Sequence, residues 1–139
     1  MIVKSLKYKE ILDRVWQFCR SIYTTTEFPN ADIQRHASAG TNSRVVINFM
    51  DNRQQMGFVG TGTLRFTFYT PLLNGRINTN WHEEKIQTLF NGLMDDSKTL
   101  LMRHNGLANI DDPATFDPYI DSFNPKESVQ VIQFKIHTA

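Results

Sequence analysis

Cysteine is almost missing from this chain: there is one thiol, Cys19, in 139 residues. A lone cysteine excludes an intramolecular disulfide and leaves no cysteine pair from which to build a zinc site. Long apolar runs are missing too; none approaches the ~18–20 residues that a membrane helix needs. Met1-Ile2-Val3-Lys4 does not open the apolar stretch of a signal peptide, so the expectation is a cytoplasmic chain with no membrane partner. Nor does charge of one sign prevail: 15 Lys and Arg face 14 Asp and Glu, a net +1. Nucleic-acid-binding domains are usually strongly basic, so this balance disfavours that class.

The common catalytic signatures are missing as well. His36, His82, His104 and His137 are scattered, and none forms a His-x-x-x-His pair. Gly57-Phe58-Val59-Gly60-Thr61-Gly62 has the glycines of a phosphate loop but no Gly-Lys-Ser/Thr, and a strand pattern follows it rather than a helix. There is no Gly-x-Ser-x-Gly. Asp95-Asp96 and Asp111-Asp112 are adjacent carboxylates, which usually point apart, so they read as solvated charge. Cys19 falls on an apolar helical stripe with Val15 and Ile22, which suits an inert core thiol better than a nucleophile. These features predict no enzyme, no cofactor and no metal.

What is present is an ordinary globular composition, 40% hydrophobic and 21% charged, at a length that suits one domain over residues 1–139. Tyr8, Leu12, Val15, Cys19 and Ile22, widened by Ile11, Trp16 and Phe18, recur at helical spacing. They predict a helix over 5–23, with Ser5 as its N-cap and Phe28-Pro29-Asn30 beyond its end. Residues 31–38 suggest a short edge strand, and Arg44 to Met50 a strand with both faces partly covered. Residues 51–62 read as a polar, glycine-rich loop. Thr63 to Thr70 alternates cleanly, with Leu64, Phe66 and Phe68 on one face and Arg65, Thr67 and Tyr69 on the other. The first row suits a core. Arg65 and Tyr69 are then left on the wet face of an antiparallel sheet, open to a partner.

Asn80-Trp81-His82-Glu83 has capping-box spacing and predicts a second helix, its buried stripe formed by Trp81, Ile86, Leu89, Phe90 and Leu93. Residues 99–104 suggest a short strand. Residues 105–127 read as a long irregular loop, broken by Pro113, Pro118 and Pro125, acidic, and yet carrying Phe116, Tyr119, Ile120 and Phe123. A strand over 129–136 closes the chain. Its alternation shifts phase between Val131 and Ile132, which implies a bulge or burial of both faces. The order predicts an α+β domain: a mostly antiparallel sheet with two helices packed on one face. No internal repeat or low-complexity tract interrupts it.

Charge is unevenly shared. Residues 1–70 hold nine Lys/Arg against five Asp/Glu, and residues 71–139 hold six against nine. Scattered solvated charge accounts for that, and so does a chain built to join head to tail.

The element order, the Phe28-Pro29-Asn30 approach to the sheet, and the strand Gly62-Thr63-Leu64-Arg65-Phe66-Thr67-Phe68-Tyr69-Thr70-Pro71 carry a resemblance. The chain resembles bacteriophage tail terminator (tail completion) proteins of long-tailed phages. The likeness covers most of the chain in order and length, but lies in a pattern of elements rather than a fingerprint. The 105–127 segment has no match in it. The resemblance implies a non-catalytic virion subunit at the head-proximal end of the tail, assembled in the host cytoplasm. Such subunits form a hexameric ring that caps the tail tube and meets the head–tail connector protein, while phage DNA passes through the lumen without sequence-specific binding. The implied partners are therefore further copies of the chain, the tail tube protein and the connector. A closing ring needs two different complementary patches. The candidates are Asp51 and Arg53 in the 51–62 loop, Arg65 and Tyr69 on the wet sheet face, and Asp111, Asp112, Phe116 and Tyr119 in the 105–127 segment. Another neck or head-completion protein fits the same pattern. A small α+β enzyme or ligand-binding protein is the alternative of a different class, and requires a concave pocket with convergent polar groups.

Overall fold

The computed structural model describes residues 8–50, 60–95 and 107–138. Its elements run α1 (Tyr8–Ile22), a 3-10 turn (Asn30–Asp32), β1 (Ile33–Arg35), β2 (Arg44–Met50), β3 (Gly60–Pro71), α2 (Thr79–Met94), β4 (Leu107–Thr115), β5 (Tyr119–Ile120) and β6 (Glu127–Thr138). They form the α+β arrangement that the pattern predicts. The strands lie in one sheet in the order β1-β2-β3-β6-β4, with β5 paired to β6. Every pairing is antiparallel except β1 with β2.

Register explains which side chains meet. Val45, Ile47 and Phe49 of β2 lie opposite Phe68, Phe66 and Leu64 of β3, and Phe66 and Leu64 in turn lie opposite Ile132 and Phe134 of β6. All eight are buried on one face, beneath Ile11, Leu12, Val15, Phe18 and Cys19 of α1 and Ile86 and Leu89 of α2. Aromatic edges lock the layers: Phe90 meets Phe134 at 6.1 Å and Trp81 meets Phe68 at 6.5 Å between centroids. The helices approach closely at Gly92, where an added Cβ would sit 2.5 Å from Cγ2 of Ile22. Burial raises the Cys19 thiol far above its ordinary range, as suits an inert core group.

Several boundaries differ from the sequence expectation. Residues 5–7 and Ser5, the loop residues 51–59 and the expected strand over 99–104 lie outside the described residues. The second helix begins two residues earlier than the Asn80 cap implies. Asn78 is the cap, its Oδ1 accepting from Trp81 N at 3.3 Å. The reason is the preceding turn: Asn74 and Gly75 both take positive φ, 52° and 74°, closing a tight reversal with Leu73 and Arg76 bridged. The chain leaves that turn already aimed into the helix.

The larger correction concerns 105–127. From Leu107 onward it is not an irregular loop: β4 and β5 together make one interrupted strand along the outer edge of β6. Its acids and prolines hide the alternation. Pro113 sits where the register shifts between Asp111 and Ala114, a place where an edge strand tolerates a residue with no N–H. The phase change in β6 is resolved as burial of both faces, since β6 pairs with β3 without a shift from Gly60↔Thr138 to Pro71↔Glu127.

Candidate interaction surface

Among the described residues no helix covers the second face of the sheet. Arg44, Thr67, Tyr69, Val129, Val131 and Gln133 alternate out of the core onto it. Its centre is tied down by an ion pair. Arg44 Nη1 and Nη2 donate to Glu127 Oε2 and Oε1, each at 2.9 Å, and both side chains are buried. Nε and Nη2 also donate to Ser38 Oγ at 2.9 and 2.6 Å, and Nη1 to the Asn42 carbonyl at 3.1 Å. All five guanidinium N–H groups are thus used, which a buried arginine requires. Its plane lies 4.4 Å from the Tyr69 ring centroid. The pair clamps β2 to β6 across β3 and draws the 36–43 connection, through Ser38, onto this face.

Two depressions flank the clamp. One, of about 470 Å³, is bordered by Arg65, Phe116, Asp117, Tyr119, Val131 and Gln133. With its amide turned to accept, Gln133 takes hydrogen bonds from Arg65 Nη2 and Nε at 3.1 and 3.3 Å. The other, of about 460 Å³, lies between the clamp and the β5–β6 turn and includes Tyr69, Tyr119, Asp121 and Phe123. Half-burial pushes the Tyr69 phenol up and the Asp121 carboxylate adds to that, while a Ser38 hydrogen bond and the Arg44 charge pull it down.

Of the residues singled out in the sequence, Arg65, Tyr69, Phe116 and Tyr119 come together on this face. Tyr119 lies opposite Val129, and Phe116 holds the break between β4 and β5 through its N–H to Val131 O at 3.2 Å and its carbonyl, which accepts from Gln130 Nε2 at 3.0 Å. Asp111 is in register with Lys135 on the edge strand, and Asp112 falls within the β4 bulge. Asp51 and Arg53 lie outside the described residues. Phe123 was read only as one of the aromatics of the 105–127 segment; missed in the sequence were the pairing of Arg44 with Glu127 and the place of Asp121 beside them. The only signal for the clamp was a pair of opposite charges, each at the first residue of a strand, 83 positions apart.

The segment from Phe116 to Phe123 displays apolar groups to solvent: Phe116 is 48%, Tyr119 49% and Phe123 97% exposed. Contiguous exposed apolar groups on a small domain mark contact sites.

A histidine–serine contact also exists. His82 Nε2 and Ser128 Oγ are 2.8 Å apart, and Ser128 Oγ donates to the Thr70 carbonyl at 3.4 Å. In the tautomer with hydrogen on Nε2 the imidazole donates to Ser128 Oγ and the serine proton goes to that carbonyl, the reverse of an activated nucleophile; in the other tautomer the serine donates to Nε2. Both residues are sealed from solvent, and burial lowers the His82 pKa to about 4. Among the described residues no three His, Cys, Asp or Glu side chains converge as metal ligands, and no helix is long and apolar enough to cross a membrane. No protein-family model matches the chain, and no curated protein matches it either.

Proposed function

We propose that this protein is a non-enzymatic structural subunit that works through its borders, and that its assembly is the ring of a bacteriophage tail terminator. The observation that carries the reading is the exposed Phe116–Phe123 segment, set beside the helix-free face of a sheet whose other face is full. Among the described residues nothing covers these rings, so contact with another chain is what removes them from water. An outer edge strand supplies backbone donors and acceptors for the same contact. The tail terminator assignment rests on the resemblance in element order, and with it come the partners: further copies, the tail tube protein and the head–tail connector, with DNA passing through the lumen of a near-neutral ring in the virion.

The test is mass by light scattering together with electron microscopy of tail tubes mixed with the purified protein. Closed rings seated on tube ends are the expected result. Rings that bind connectors and ignore tube ends move the assignment to a head-completion protein. A monomer that turns over a small molecule overturns the structural reading.

A further inference from the structure

The cleft beside the clamp has a definite chemistry. Three rings, Tyr69, Tyr119 and Phe123, border it together with the Asp121 carboxylate. Arg44 and Glu127, also on its wall, neutralise each other, so Asp121 sets the charge of the cleft. Phe123 stands at the tip of the β5–β6 turn, which is held by Phe123 N donating to Asp121 Oδ1 at 3.0 Å and Lys126 N donating to Asn124 Oδ1 at 3.2 Å. Aromatic walls with one carboxylate favour a flat cation, which is attracted to the ring faces and paired with the acid.

The same chain carries such a cation on the other side of the sheet. On the outer flank of α1, Trp16 is pinned by Nε1 donating to the Ile33 carbonyl at 3.0 Å. Arg20 and Arg35 lie over its ring, 4.8 and 5.0 Å from the centroid. Arg35 is paired with Asp13, and Arg20 is exposed, so this corner keeps a net positive charge. Trp16 packs against the core on the helix-covered face, at the β1 edge. The cleft opens on the helix-free face. The sheet stands between them, and they cannot meet within one molecule. They can meet between two.

We propose that the Arg20–Trp16–Arg35 corner of one copy docks into the Tyr69–Tyr119–Phe123–Asp121 cleft of the next. The proposal rests on the self-assembly reading above and names its contact. Because the two patches differ and face opposite ways, the contact is heterologous, and repeating it gives a ring or a filament rather than a two-fold dimer. It also covers Phe123, the most exposed ring among the described residues, and gives the uneven charge of the two chain halves a use.

The full-length protein tests this by sedimentation velocity over a concentration series at low and moderate salt. Arg20→Glu and Asp121→Arg, each alone, are expected to weaken self-association by about tenfold or more, as charge reversal at a contact does. Mixing the two variants restores it, since the carboxylate introduced into the corner of one then meets the guanidinium introduced into the cleft of the other. Phe123→Ser, at a position too exposed to affect folding, weakens association with no charge change and guards against a turn disturbed by Asp121→Arg. Association that persists in Arg20→Glu and Phe123→Ser overturns the docking and leaves self-assembly standing. Singles that fail and a mixture that does not recover overturn the pairing of these residues. A wild-type chain that stays monomeric throughout overturns the docking and the self-assembly reading together.

Discussion

The two faces of the same sheet are filled by different rules. On the helix-covered face Val45, Ile47, Phe49, Leu64, Phe66, Phe68, Ile132 and Phe134 are buried in a continuous apolar layer. Opposite it, one residue out of phase, stand Arg44, Arg65, Thr67, Tyr69 and Gln133, ordered by a five-donor clamp and a few polar pairs. The first face is held by area removed from water, which is non-directional and tolerant of exchange among similar shapes. The second is held by geometry, since a buried charge is acceptable only when its partners are in place. The second face thus combines a centre in which Arg44, Val46, Thr67 and Val129 are buried with an exposed aromatic margin from Phe116 to Phe123, the combination a docking surface needs.

The sharpest way to break the contrast is to remove a ring from the covered face. Phe66→Ala is expected to cost about 3–5 kcal/mol in a urea titration, the range for a fully buried aromatic. Arg44→Ala attacks the open face where it behaves like a core, leaving the Glu127 carboxylate buried and alone. A loss of about 3–5 kcal/mol follows. The double change Arg44→Met with Glu127→Leu should cost clearly less, because no charge is stranded. A double variant as unstable as the single would mean that the clamp contributes geometry that apolar packing cannot replace.

pH probes the seam between α2 and the sheet. His82 is neutral when folded, its pKa pushed by burial to about 4, below the 6.5 of a free imidazole. The unfolded chain takes up the proton first as pH falls. The stability this group contributes is therefore full about a unit above pH 6.5 and declines towards pH 4, by roughly 1.6 kcal/mol between pH 6.5 and 5. His82→Gln should flatten that decline in urea midpoints collected across the window. Gly92→Val forces the α1–α2 approach apart against Ile22 and is expected to cost about 1–3 kcal/mol, seen as a lowered thermal midpoint. Smallest of all, Phe123→Ser should change folding stability by under about 0.5 kcal/mol. A larger loss would place the ring in the body of the protein and not at its margin.

Legibility in the sequence followed periodicity. Helix α1 and strands β2 and β3 could be read because their apolar residues repeat at the spacing of their own backbone. The core face of β3 followed directly, and with it the outward direction of Arg65 and Tyr69. β4 could not be read, because Asp111, Asp112 and Pro113 erase alternation. It becomes a strand by pairing with the free edge of β6, a partner that exists only after folding. The cap of α2 moved from Asn80 to Asn78 because the Asn74-Gly75 reversal sets where the chain can begin to coil. Half of the interaction surface was visible as alternation and stray aromatics; the clamp that organises it was not.

Short-range pattern was sufficient for the helices, the principal strands and the direction in which their side chains point, because those depend on neighbours a few positions apart. Bringing Arg44 onto Glu127, setting Phe116 and Tyr119 beside Arg65, and placing the Trp16 corner and the aromatic cleft on opposite sides of one sheet all depend on strand order. Strand order is chosen by the burial of the whole apolar layer at once, and no local stretch of residues contains that information.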